Sequence, residues 1–362
     1  MEETPKKNIP FILGVVAVGF AVLAAVVGYI LYPGYMHRQK YEAGVARLQK
    51  GQLQDARVLF DAALSYRQDD PRSLYYLGKI ALGKQSQTSG KGPIYPDADF
   101  QKAASHFETA FTYGLQAHDE AMYRTALNDA GFSYFMRKEY AKAQEKYLEY
   151  IRLSPDDAFI PRYFVALNDF ERFNKPEEAR DILLPAVGSA STPLHFATIS
   201  NVYVLLARLQ FYFGEYEEAQ RNADLAIAKG APLGNDLQIQ IAHAVRASSL
   251  ARKGDISGAE NAIKKANELA GSDKAFACSL ADAYVEGGLS AKALLVAHTV
   301  PAGKNYGYSI CLHVLASASE TLKKENDARM YMEQYLSLTD TFVEKNIVVE
   351  RYRNEYRDAL GR

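Results

Sequence analysis

Residues Leu127 to Pro155 read LNDAGFSYFMRKEYAKAQEKYLEYIRLSP. Within them Leu127, Ala130, Gly131, Tyr134, Ala143, Tyr147, Tyr150 and Pro155 stand at offsets of three, one, three, nine, four, three and five. Spacings of three and four place side chains on one face of a helix, and the same ruler recurs along the chain. Tyr203, Leu206, Ala207, Gly214, Tyr216, Ala219, Ala223 and Ala226 repeat it. So do Ala247, Leu250, Gly254, Ala259, Ile263 and Ala266, and later Leu312, Leu315, Ala316, Ala328, Met332 and Tyr335. Gly44, Gly51, Ala56, Phe60 and Ala63 fit it upstream, as do Leu74, Leu77, Gly78, Ala103, Phe107 and Ala110 once an insertion is allowed. Weaker copies run through Tyr163, Phe170, Ala179, Leu183 and Ala186, and through Leu280, Ala281, Tyr284, Gly288 and Ala293. After residue 40 no convincing strand is visible, so the chain is expected to be all-α and built of internal repeats.

This pattern resembles the tetratricopeptide repeat (TPR), a helix-turn-helix unit that stacks into a right-handed α-solenoid. About eight units are expected. Gly131, Ala143 and Ala207 are small where the two helices of a unit would cross, and Tyr134 and Tyr147 are large around that crossing. Turns carry Ser154-Pro155-Asp156 and Asp69-Asp70-Pro71, with Pro suited to a first helical turn and Ser or Asp to capping. The second unit holds an insert near 83–96, rich in Gly, Ser and Gln, that reads as a loop. Leu167 stands where the fourth unit should be small, and the seventh unit is short, ending at Pro301-Ala302-Gly303.

Ahead of the repeats, Phe11 to Leu31 contains no charge over 21 residues, long enough to cross a hydrocarbon core of about 30 Å as a helix. The expected organisation is a tail at 1–10, a transmembrane helix at 11–32 ended by Pro33-Gly34, a solenoid at 37–340 and a capping helix at 341–362. Tyr29, Tyr32 and Tyr35 suit a membrane interface. The apolar run is too long for a cleaved signal peptide. Lys6 and Lys7 precede the span while Arg38, Lys40, Arg47 and Lys50 follow it, so the flanks do not settle orientation. The very short tail favours export of the large domain, giving a single-pass protein of a bacterial inner membrane with a periplasmic solenoid. Ala17, Ala21 and Ala25 form a small-residue stripe through which two copies could pair as a homo-oligomer.

Composition limits the function. Lys plus Arg number 42 against 43 Asp plus Glu, without the basic face of a nucleic-acid binder. With 48% apolar residues, 25 Tyr and 17 Phe, there is ample material for a core. The two cysteines, Cys278 and Cys311, are too few for a disulfide framework and wrongly spaced for zinc. They read most simply as buried thiols on helices, with a bridge open to them in an oxidising compartment. None of the seven histidines opens a His-Glu-x-x-His motif. Gly83 to Gly92 misses the spacing and hydroxyl residue of a phosphate loop, and no Gly-x-Ser-x-Gly elbow occurs. No catalysis, cofactor or metal is expected.

What the resemblance adds is a groove. In the family the first helix of each unit lines a concave surface that takes an extended or helical segment of a partner. The corresponding positions are Tyr75, Lys79, Asn128, Phe132, Phe135, Phe164, Asn168, Arg172, Val204, Arg208, Phe211 and Tyr212. Rings offer contact area, amides bind a partner's backbone and Arg binds carboxylates. The expected function is a membrane-anchored scaffold or adaptor that binds other proteins or peptides through the solenoid and the bilayer through 11–32, and assembles or tethers a complex. The alternative is an exported, chaperone-like or secretion-accessory protein that holds clients at the membrane.

Overall fold

The structure, a computed structural model, describes residues 9–83, 86–87, 93–94, 98–187, 193–234, 236–272, 276–342 and 347–361. The side chains at 9–21, 24, 25, 86, 87, 93, 94, 193–197, 233, 306 and 347 lie outside the description. The chain divides into two compact units, one comprising Met1–Lys84 and Tyr95–Lys138, the other Gln85–Ile94 and Glu139–Arg362.

The first unit holds α1 (Ile9–Gln49), α2 (Leu53–Tyr66), α3 (Pro71–Leu82), α4 (Phe100–Thr112), the short α5 (Leu115–His118) and α6 (Glu120–Met136). α1 packs along α2, and α3 along α4. Each pair crosses at a glycine. A Cβ on Gly44 would meet the Phe60 ring at 2.9 Å, and one on Gly78 would meet Phe107 at 2.6 Å. These are the small-against-large positions of the repeat ruler, and both rings are fully buried. α3 starts where the sequence places a turn: Pro71 occupies the first position and the Asp70 carboxylate accepts from the Ser73 backbone N–H at 2.9 Å and from its Oγ at 2.6 Å. His37 Nε2 lies 3.1 Å from the same carboxylate. The Ser73 and His37 contacts pull the Asp70 pKa below its usual value even though burial opposes them.

α1 departs from expectation, because Pro33-Gly34 does not end it. The helix runs through Pro33 to Gln49. Pro33 removes a single intrahelical bond, while Tyr41, Val45 and Leu48 lock the following turns into a cluster with Phe60 and Leu77. Among the described residues no helix is long and apolar enough to cross a membrane. Much of the expected span at 11–32, including the alanine stripe at 17, 21 and 25, has side chains outside that description. Of those described, Val22, Leu23, Val26, Val27, Tyr29, Ile30, Leu31, Tyr32 and Tyr35 are all exposed.

The second unit contains α7 (Tyr140–Leu153), α8 (Phe159–Glu171), α9 (Pro176–Leu183), α10 (Pro193–Tyr212), α11 (Tyr216–Gly230), α12 (Asp236–Arg252), α13 (Ile256–Ala270), α14 (Ala277–Glu286), α15 (Ser290–Ala297), α16 (Tyr306–Thr321), α17 (Glu325–Asp340) and α18 (Ile347–Leu360). α8 to α17 form five consecutive antiparallel pairs. Their ruler positions, among them Ala207, Ala223, Ala259, Ile263, Ala328 and Tyr335, are buried where the pairs meet. Helices of α9, α14 and α15 length, eight to ten residues, are short where the ruler was weakest. The insert read as a loop carries a minimal ladder, β1 (Ser86–Gln87) and β2 (Pro93–Ile94) pairing antiparallel with Ser86 opposite Ile94, while the array around it is all-helical. Pro93 lacks an N–H, which suits the end of a minimal ladder.

The cysteines are not separate thiols. Cys278 on α14 and Cys311 on α16 form a disulfide with a Cα–Cα distance of 5.0 Å.

Candidate functional site

A cavity of about 450 Å³ lies in the second unit. α8, α10, α12, α14 and α16, the first helices of its five pairs, all contribute to the wall, together with α18, Tyr216 of α11, Tyr335 of α17 and the Phe213-Gly214 turn. Phe170, Phe211, Tyr212, Tyr216 and Tyr352 bring rings to it, Arg208, Arg252 and Arg351 bring guanidinium groups, and Asp282 and Glu286 bring carboxylates. The volume is in the range of small-ligand or short-segment sites.

The charges are held in place. Arg208 Nη1 donates to Glu171 Oε1 at 2.6 Å and sits over the Phe170 ring at 5.3 Å. Arg252 pairs with Glu286 and lies 5.6 Å from the Tyr216 centroid. Arg351 Nε donates to Glu355 at 2.9 Å and reaches the Tyr212 ring at 5.9 Å. Such pairs hold a planar, multiply donating cation at the rim with its apolar face on a ring. Burial pushes the Asp282 carboxyl up to about 6, against the opposing pull of Arg252 and a Ser248 hydrogen bond. His313 faces the cavity from α16, stacked on Tyr352 at 3.5 Å with Nδ1 2.7 Å from the Tyr356 hydroxyl. Burial first, and then Arg351, push it down to about 3, so its ring is neutral near pH 7.

α18 is more than an end cover. Arg353, 2% exposed, donates to Thr339 Oγ1 at 2.8 Å and to Asp340 Oδ1 at 2.6 Å, tying α18 to α17. Tyr356 packs on Tyr335 edge to face at 5.2 Å. With the C-terminal half fixed in this way, Val348 packs against the cluster built by α8, α9 and α10. The charged pattern of α18 predicts a solvated outer face, but not that Arg351 and Tyr352 close the cavity from the far end of the array.

The twelve groove positions meet different fates. Arg208, Phe211 and Tyr212 come together at the cavity. Val204 does not; it belongs to a core cluster with Ala207, Ala223 and Ala242. Phe164 stacks flat on Tyr147 at 5.3 Å, between α7 and α8. Arg172 lies over Tyr140 at 4.9 Å. Asn168 is fully buried, and neither side-chain polar atom finds a hydrogen bond among the described residues, so it cannot present an amide to a partner's backbone. In the first unit Tyr75 is a core residue, 5.1 Å from Tyr76 and 6.2 Å from Phe107, and burial pushes its phenol up. Lys79 Nζ donates to Asp129 at 2.6 Å. Phe132 meets Phe100 edge to face at 5.8 Å, and Asn128 and Phe135 are half-buried on α6. The residues that the sequence reading missed, Arg252, Asp282, Glu286, His313, Arg351 and Tyr352, lie on helices whose groove positions were never carried over. Four of them do stand on first helices of their units, which was the available signal. Among the described residues no group of three or more His, Cys, Asp or Glu is placed to hold a metal ion.

No protein-family model matches the chain, and no curated protein does. Solved structures similar to it include PilF of Pseudomonas aeruginosa, 15% identical, with a TM-score of 0.45, covering 66% of this chain and 93% of that one. A tetratricopeptide repeat protein from Parabacteroides merdae is 14% identical at a TM-score of 0.41, covering 89% and 99%. A Rap protein complexed with competence and sporulation factor is 14% identical at 0.45, covering 84% and 97%. These likenesses are distant, and the description of the chain as an all-helical array of TPR-like helix pairs stands on its own ruler residues and on the pairs they build.

Proposed function

We propose that this protein is a membrane-anchored adaptor of the tetratricopeptide-repeat type, which binds a short protein segment in the cavity of its second unit and catalyses nothing. The observation that carries the reading is the cavity itself: five first helices and α18 converge on one space of about 450 Å³, and α8, α10, α12 and α18 bring aromatic rings and guanidinium groups to it. Fixed Arg side chains select a carboxylate, and rings beside them select an apolar or aromatic neighbour. The favoured ligand is therefore an extended or helical segment with an acidic group next to a large apolar side chain. The anchor rests on the uncharged stretch from Phe11 to Leu31 and on the exposed apolar side chains of Val22, Leu23, Val26, Val27, Tyr29, Ile30, Leu31, Tyr32 and Tyr35. A contiguous exposed apolar face of that size favours lipid over water. Anchoring raises the effective concentration of whatever the cavity holds at the membrane.

The test uses the full-length chain in its membrane with a photo-crosslinking side chain in place of Tyr212. A small recurring set of proteins, lost when Arg208 and Arg351 are both changed to Ala, supports the adaptor. Many unrelated proteins, captured equally by the variant, would favour the chaperone-like alternative. Alkaline extraction should leave the whole chain with the membrane and release one lacking residues 1–35; release of the whole chain would refute the anchor.

A further inference from the structure

We propose that the Cys278–Cys311 bridge clamps two walls of the cavity, and that its formation places the repeat region on the exported, oxidising side of the membrane. The inference rests on the adaptor reading for the cavity and anchor, and on separate observations for the bridge. The chain has only two cysteines among 362 residues, and the fold brings them together. Their Cα atoms are 5.0 Å apart on α14 and α16, inside the span of about 4.4–6.8 Å that a disulfide requires. The two helices are the first members of neighbouring pairs, so the bond staples one pair to the next. It does so beside the cavity. Cys278 lies one helical turn before Asp282, and Cys311 lies next to Ile310 and two residues before His313, all three on the cavity wall. α14 and α15, of 10 and 8 residues, are also the shortest of the five pairs, with the fewest residues of their own to hold the wall in place.

Burial indicates how the bond must arise. Cys278 is 9% exposed and Cys311 is fully buried, so neither sulfur is open to a bulky oxidant after folding. During folding, the thiolate of one cysteine attacks a protein disulfide of the compartment's thiol-oxidising machinery and forms a mixed disulfide. The second thiolate then displaces the oxidant, which leaves as a dithiol carrying the two electrons and, after protonation, the two protons that the cysteines lost. A reducing cytosol opposes this reaction, whereas exported compartments sustain it. The flanking charges alone do not settle orientation, with two lysines before the span and four cations after it. The state of the thiols is thus the stronger discriminator of orientation.

The experiment denatures membranes containing the full-length chain and adds a polyethylene-glycol maleimide, with and without prior reduction. No tag before reduction and two after it are expected; two tags without reduction would overturn the bridge, and would do so even if partner capture at Tyr212 were intact. The double variant Cys278→Ala/Cys311→Ala, checked for retained helicity, should melt on the order of 5 °C lower and capture its partners several-fold less. Unchanged melting and capture would overturn the clamp. External protease applied to cells with an opened outer barrier should digest the repeat region; a bridged but protected chain would overturn the orientation. A bridged, exported chain that captures nothing would sink the adaptor reading and leave the orientation standing.

Discussion

The first-helix faces of the two units start from the same kind of residue and end differently. In the first unit the aromatic and charged positions turn inward: Tyr75 joins the Phe107 core, Lys79 neutralises Asp129, and Phe132 meets Phe100. In the second unit Arg208, Phe211 and Tyr212 open onto a cavity that α18 completes. The repeat position of a residue therefore does not say whether it lines an open space or holds the fold. Which one it does depends on what the neighbouring helices leave unfilled.

The contrast breaks most visibly under truncation. Tyr75→Ala should cost about 3 kcal/mol of stability, since it empties a buried ring site, as measured by denaturant unfolding. A cost below about 1 kcal/mol would mean that Tyr75 is a surface ligand residue after all. Gly78→Ala comes next. Its Cβ would meet the Phe107 ring at 2.6 Å, and overpacking at such a crossing costs about 1–3 kcal/mol. Gly214→Ala is not an equivalent control, because Gly214 has φ +79° and a side chain there is strained for a different reason.

The cavity wall supplies a pH test with two opposite signs. His313 is held down at about 3 in the folded chain, against about 6.5 unfolded, so protons bind the unfolded chain preferentially and stability is lost as pH falls from about 6.5 towards 3. Asp282 is raised to about 6, so the folded chain binds its proton preferentially, and that contribution is present below about 4 and lost as pH rises through 6. Between pH 4 and 6 the two oppose each other, each with a slope of at most about 1.4 kcal/mol per pH unit. Asp282→Asn should therefore steepen the loss of stability on acidification, and His313→Gln should flatten or reverse it, read from melting temperatures at a series of pH values. Parallel profiles for both variants would remove these groups from the wall's electrostatics. The smallest stability effect belongs to Arg208→Ala and Arg351→Ala. Each breaks a partly exposed ion pair and should cost under about 1 kcal/mol, while partner capture falls about tenfold. A large stability loss with unchanged capture would make them structural like Lys79.

The repeat ruler was legible because its requirements are local. A small residue is needed wherever two helices cross within one hairpin, and Gly44 against Phe60 and Gly78 against Phe107 satisfy it with residues only 16 and 29 apart in the chain. Asp70-Pro71 was legible for the same reason, since a cap and a first turn need only neighbouring residues. The end of α1 was misjudged because Pro33 was weighed by local propensity, whereas packing of Tyr41, Val45 and Leu48 on α2 carries the helix onward. Of the twelve groove positions only Arg208, Phe211 and Tyr212 meet at the cavity, because a side chain at a first-helix position can face open space or the next pair, and spacing alone does not distinguish them. The sequence by itself determined the all-helical repeat and its helix pairs, because periodicity and crossing residues act over a few turns. Only the tertiary structure decided that Cys278 meets Cys311, and that Arg351 and Tyr352 close a cavity begun at Phe170 some 180 residues earlier, because those meetings depend on the rotations accumulated over five stacked pairs.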